Sequence, residues 1–339
     1  MKKFILVICA AISMIFIYLP ASIQAAEWKT LKAGDKGYEV YALKLLLLHR
    51  NCEPGEAGVV FDAKTARALT AFQTQNGLDP TGQASPETWE KLISQVSAGQ
   101  SALDDNAVKA AQYLLRNKYA FTALNEDGKF DLETKAAVLL FQCNYKLGTN
   151  GANGMDGAIG ANTWSCLIRD SKKENNYGWV ICVELNMDRG ILGTLHAYGS
   201  TGHKILEMPC LGQSMTMNTD WRSEYGNTPL GCFRASISYK WRDWMEYGKY
   251  YSIELNDEDV RAVTNGRDRI LIHSGHNKYK QRPDYGLPYW YKDYRARNIQ
   301  GLDQTHGCIR ISNDDHARLY NSLKGCTKGI VSISEHVFD

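Results

Sequence analysis

At Trp179 the hydrophobic periodicity of this 339-residue chain changes from 3.6 to 2. One layer of secondary structure cannot satisfy both periods, so the chain divides into a helical front and a strand-rich remainder. The charged, polar stretch 170–178 separates them. Beyond it, Trp179 to Leu185 alternates, Asn186 to Gly190 is a turn, and Ile191 to Tyr198 alternates again, which predicts a hairpin. Further strands are predicted at 204–209, 233–239, 251–255, 270–273, 309–311 and 329–334. A single helix is expected from Asn313 to Leu323, with Ser312 as N-cap and Asp315 three residues on. Mostly strand with one late helix suits a sandwich or barrel-like domain.

The helical front contains an internal repeat, Leu31 to Ile93 and about Ala102 to Ile168. Phe61-Asp62, Thr65 and Phe72-Gln73 recur 69 positions later as Phe130-Asp131, Thr134 and Phe141-Gln142. Thr81-Gly82 and Thr88-Trp89 recur 75 positions later as Asp156-Gly157 and Thr163-Trp164, so the second copy carries six extra residues within the Gly-rich stretch 148–160. Val40, Leu43 and Leu47 share one helical face, as do Val108, Ala111 and Leu115. Middle helices follow from Thr65 to Phe72 and Thr134 to Phe141, then short ones over 86–93 and 162–168. Each copy reads as a three-helix module with its own aromatic core, Phe72, Trp89, Phe141 and Trp164 included, joined by the polar linker 94–106. Asn125 to Asp131 reads as a turn, because Ala123 and the lack of a closing Glu spoil a calcium loop.

The first 25 residues carry Lys2 and Lys3, an apolar run from Phe4 to Leu19, Pro20 and a plausible cleavage stretch at Ile23-Gln24-Ala25, the layout of a secretory signal peptide. An uncleaved membrane anchor is the alternative. Removing that leader takes two of 39 Lys+Arg and leaves 37 against 37 Asp+Glu. Near-neutral charge argues against nucleic acid as a partner. No second apolar stretch is long enough to cross a bilayer. Of nine cysteines, eight follow the leader, and none form C-x-x-C. Export permits disulfides; Cys143 with Cys166 and Cys210 with Cys232 are conceivable pairs, although connectivity does not follow from sequence.

Near the C-terminus stands Thr305-His306-Gly307-Cys308-Ile309-Arg310, with Ile270-Leu271-Ile272-His273-Ser274 upstream. A cysteine attacks as thiolate, and a neighbouring imidazole is the usual means of lowering a thiol pKa. Gly307 permits backbone geometries that aim the Cys308 amide at a developing oxyanion, and the Gly307 and His306 amides are further donors. Ser274 can orient the His273 ring through its side chain or its carbonyl. Taken singly, Cys308 reads equally as a small buried residue and His273 as a satisfied core histidine.

The pattern resembles the signature of the L,D-transpeptidase catalytic domain (the YkuD family): a His, then Ser/Thr-His-Gly-Cys. Thr228-Pro229-Leu230-Gly231-Cys232-Phe233 is similar to the family's TPxGxF segment, and 204–212 to the strand and Gly turn before it. The resemblance implies Cys308 as nucleophile, His273 as general base and Thr305 to Cys308 as the oxyanion turn. His306 belongs to the motif, with a structural role for its ring as the alternative. Arg310 stands where many members have Asn, and it either binds a substrate carboxylate or braces the turn. The family pattern is metal-free, so neither metal nor cofactor is expected, although His273, His276, His306 and Cys308 are metal-ligating types. One departure stands out: 31 residues (274–304) separate His273 from Thr305, about twice the family's usual spacing. The aromatic and Arg-rich stretch 277–304 reads as a lid or a surface insertion, and it leaves His276 as a rival base. The helical repeats resemble the three-helix peptidoglycan-binding domain in F-D-x-x-T, F-Q-x-x-x-x-L and the T-W ending, which implies peptidoglycan as partner; a spacer role is the alternative.

The expected architecture is therefore multidomain: a signal peptide (1–25), two three-helix α modules (28–96 and 102–170) and a mostly-β YkuD-type catalytic domain (177–339). The expected protein is an exported cell-wall L,D-transpeptidase that cross-links third residues of stem peptides through a thioester on Cys308. Three alternatives remain: an L,D-carboxypeptidase using water, a non-catalytic wall-binding protein, and a cysteine endopeptidase of unrelated fold, which would normally place Cys before His.

Overall fold

The computed structural model describes residues 28–93, 105–147, 155–212, 219–223, 226–238, 251–274 and 307–336. The expected signal peptide, residues 94–104 of the expected linker, Thr305, His306, His276 and the stretch 277–304 lie outside the described residues.

The first helical unit is α1 (Tyr38–His49), α2 (Ala63–Gln75) and α3 (Pro86–Leu92); the second is α4 (Asn106–Asn117), α5 (Leu132–Asn144) and α6 (Ala161–Ile168). The middle helices begin two residues before the Thr that marks them in the sequence. The reason is the cap: Asp62 accepts from the Thr65 amide and Asp131 from the Thr134 amide, each at 2.9 Å. A buried amide then stitches each middle helix to the third. Gln73 donates to the Gln83 carbonyl and the Thr88 hydroxyl and accepts from Gly82 N–H, at 2.8–2.9 Å. Gln142 does the same with Ala158, Thr163 and Gly157. Burying Gln is tolerable only because both ends of the amide find partners.

The units do not keep separate cores. Helix α1 packs along α4, and Lys118 at the end of α4 reaches Glu39 of α1 at 2.5 Å while donating to the Leu167, Ile168 and Arg169 carbonyls that end α6. One apolar cluster runs through both units and on to Val180, Cys182, Tyr198 and Ile330 of the β region.

That region is one eight-stranded sheet in the order β3-β2-β1-β8-β4-β5-β6-β7. The strands are β1 (Trp179–Asn186), β2 (Gly193–Gly199), β3 (Lys204–Cys210), β4 (Gly231–Ile237), β5 (Ile253–Leu255), β6 (Leu271–His273), β7 (Ile309–Arg310) and β8 (Lys328–His336). β1/β8 and β6/β7 are parallel and the other pairs antiparallel. Trp179, Ile181, Val183 and Leu185 of β1 enter the sheet's own core, while Val180 and Cys182 meet the helical unit, so both faces of this strand are apolar. Helix α5 lies on that second face, and Ala123 N–H of the second unit bonds the Thr201 carbonyl of the β2–β3 turn at 3.1 Å. The two edges of the sheet meet where Leu211 and Arg310 exchange both backbone hydrogen bonds at 2.9 Å, closing it toward a barrel.

One expectation is corrected. The β region has two described helices rather than one: besides α8 (Asn313–Leu323, capped by Ser312), α7 (Asp257–Val263) is capped by Asn256. It is docked by Asp259, whose carboxylate takes the Arg234 amide at 2.7 Å and grips its guanidinium. The eight described cysteines are all free thiols. Cys210 and Cys232 lie on β3 and β4 with three strands between them, and Cys210 enters the sheet's own core while Cys232 packs against the cluster on the other face. A disulfide spans less than about 7 Å between Cα atoms. Among the described residues no helix is long and apolar enough to cross a membrane.

Candidate active site

Parallel pairing sets Ile272 opposite Ile309 and His273 opposite Arg310. The isoleucines both enter the core, so His273 and Arg310 share the opposite face, and Cys308 precedes the strand on the parity of Arg310. One strand step and two residues of rise put the His273 and Cys308 Cα atoms about 8 Å apart. Thus the fold brings the sequence's Cys and His to neighbouring strand starts and ends, at the corner where the sheet closes.

His273 is buried, and its Nδ1 lies 2.9 Å from the Ser274 carbonyl. A carbonyl only accepts, so Nδ1 carries the proton and the neutral ring keeps its lone pair on Nε2, the tautomer a general base needs. Ser274 acts through that carbonyl. Its hydroxyl is used elsewhere, 2.7 Å from His316 Nδ1 on α8. His316 Nε2 in turn lies 3.2 Å from the Tyr251 carbonyl and must donate to it. His316 Nδ1 is therefore an acceptor and the Ser274 hydroxyl the donor. Burial first, and the nearby Arg310 charge after it, hold the His316 pKa down at about 4 against the opposing pull of its own bond to the Tyr251 carbonyl, which keeps this ring neutral. Arg310 Nη1 donates to the same Ser274 carbonyl at 2.8 Å.

Cys308 is partly exposed, with Sγ 3.8 Å from the Arg269 carbonyl. The Thr228 hydroxyl, fully buried, lies 3.1 Å from the Gly212 carbonyl and 3.3 Å from that of Cys308. The TPxGxF-like segment thereby pins the backbone at Cys308. Gly307 has φ of 104°, the left-handed region that favours glycine, and a Cβ there would lie 1.8 Å from Arg267 Nη2. His316 and Arg267 had no local signal in the sequence, since each meets the site across some forty residues.

A thiol just ahead of one strand and an imidazole at the end of its neighbour, beside a glycine turn, are the group types that cysteine acyl transfer uses. Residues 196–331 match the YkuD family, the L,D-transpeptidase catalytic domain, and residues 36–92 match a peptidoglycan binding domain. The chain thus carries a YkuD L,D-transpeptidase catalytic domain behind a peptidoglycan-binding domain. No curated protein matches it. Solved structures similar to it include the helical cell shape determining protein Pgp2 from Campylobacter jejuni, at 17% identity over 48% of this chain and 50% of that one, TM-score 0.29. An L,D-transpeptidase from Xylanimonas cellulosilytica is 19% identical over 70% of this chain and 98% of that one, TM-score 0.25. Another, from Stackebrandtia nassauensis, is 19% identical over 72% and 98%, TM-score 0.26. The chain spans half the length of the Campylobacter protein. The overlaps are too loose to add to the family match.

Proposed function

We propose that the chain is an exported peptidoglycan L,D-transpeptidase, with Cys308 as nucleophile and His273 as general base. The observation that carries this reading is the His273 Nδ1–Ser274 carbonyl bond, which leaves Nε2 as the proton acceptor on the strand beside Cys308. In the first half-reaction, Nε2 takes the Cys308 proton and the thiolate attacks the carbonyl of the third, L-centred residue of a tetrapeptide stem. In this reading the Gly307 and Cys308 amides would donate to the developing oxyanion. The tetrahedral intermediate collapses to a thioester, and the departing D-Ala nitrogen takes the proton from His273. In the second, the side-chain amine of another stem loses a proton to His273 and attacks the thioester, which forms the cross-link and returns the thiol. The helical units would hold the enzyme on its polymer and raise the local stem concentration.

The test is mass spectrometry of purified protein mixed with disaccharide-tetrapeptide muropeptides, alongside Cys308→Ala. Dimers joined through third residues and lost in Cys308→Ala support transpeptidation. Tripeptide without dimers moves the assignment to an L,D-carboxypeptidase. Untouched tetrapeptide with no acyl adduct in either protein supports a non-catalytic wall-binding protein.

A further inference from the structure

Beneath the nucleophile turn lies a buried cation. Arg267, on the segment leading into β6, is 4% exposed. Its Nη1 donates to the Asn227 carbonyl at 2.6 Å and to the Trp221 carbonyl, and Nη2 donates to the Gly226 carbonyl at 3.3 Å. These bonds hold the guanidinium on the side-chain side of Gly307, in the space where a Cβ would stand. We propose that Arg267 is a positioning residue for acyl transfer, fixing the Gly307-Cys308 turn and favouring the thiolate over the thiol at Cys308. This rests on Cys308 being the nucleophile.

The electrostatics agree with the geometry. Burial pulls the Arg267 guanidinium below its ordinary value, and charge on Cys308, then on Asp220, pushes it back up. Coupling between two charges is reciprocal, so the cation stabilises the thiolate as the thiolate stabilises the cation. Other charged or titratable groups near the turn include His273 on β6, Arg310 on β7, Arg269, whose carbonyl meets the Cys308 thiol, and Asp220, whose charge acts on Arg267. His273 acts by taking the thiol's proton, whereas Arg267 has none to exchange near neutral pH and acts only through its fixed charge and its bonds.

The experiment follows iodoacetamide labelling of Cys308 against pH, read by peptide mapping of the full chain. Burial pushes Cys143, Cys182 and Cys210 up to about 12, which keeps them slow. Arg267→Met is expected to slow labelling roughly tenfold near pH 7 and to leave it unchanged where any thiol is ionised, with Arg267→Lys recovering part of the loss. Exposed Asp220→Asn, which removes a counter-charge, is expected to speed labelling near pH 7 about twofold. If Arg267→Met loses its near-ultraviolet dichroism, Asp220→Asn decides alone. Profiles of Arg267→Met and Asp220→Asn that overlay the wild type overturn the proposal and leave the nucleophile assignment standing. A wild-type profile equal to that of the urea-unfolded chain overturns both.

Discussion

The two helical units share one plan and face different surroundings. Helices α2 and α5 are each 13 residues long, each capped by an Asp and each anchored by a Gln. On α2 the buried set is Thr65, Ala68, Leu69, Phe72 and Gln73, one stripe turned to the unit's own core. The equivalents 69 positions on are buried in α5 as well, and so are Ala136, Leu139, Leu140, Cys143 and Asn144. Their counterparts in the first unit are Arg67, Thr70, Ala71, Thr74 and Gln75, none of them buried. A change from mostly polar to mostly apolar on one helix face lets α5, and not α2, line the sheet. The family match falls in step: it covers 36–92, the unit that kept its polar face.

The strongest way to break that comparison is to give α5 the polarity of α2. Ala136→Arg would bury an unpaired charge against the sheet and is expected to cost about 4 kcal/mol or more in urea unfolding. The mirror change Arg67→Ala should stay within about 0.5 kcal/mol. Similar costs for the two would refute the distinction between the faces. Next in size, Lys118→Met leaves buried Glu39 at the seam between units with only Lys29, at 3.5 Å, and takes the donor from the carbonyls ending α6, and should cost roughly 2 kcal/mol. Unfolding that remains one transition, merely shifted, would show that the units still melt with the sheet. The smallest effect is acid loosening of the first unit. The Thr65 amide, then Lys44, hold the Asp62 carboxyl down at about 2, below its unfolded value near 4. A depressed carboxylate stabilises fully above the unfolded pKa, so this contribution fades as pH falls from about 4 toward 2. Hydrogen exchange at the α2 amides should rise over that window, and Asp62→Asn should flatten the response.

The helical spacing of Val40, Leu43 and Leu47 and the run 270–273 were legible because each reports a local period. Cys308 and His273 were legible because a motif surrounds them. The sheet-facing side of α5 was also present in the sequence, as Leu139 and Leu140 against Thr70 and Ala71, but reading it requires knowing that a second surface exists. Helix α7 was missed because its apolar residues are few; Asn256 followed by Asp257, Glu258 and Asp259 was its one signal, a cap with an acidic first turn. Arg267 and His316 depend on loop closure, and an isolated Arg or His carries no mark of what it will face.

The continuous core from α1 through α5 into β1 and β8 also has a mechanical meaning. A flexible tether lets a catalytic head sweep a volume, whereas a chain joined in this way behaves as a jig. Whatever the outward face of the first unit grips stays at one distance and one angle from Cys308. Such a tool would select its work by the geometry of the surface it stands on.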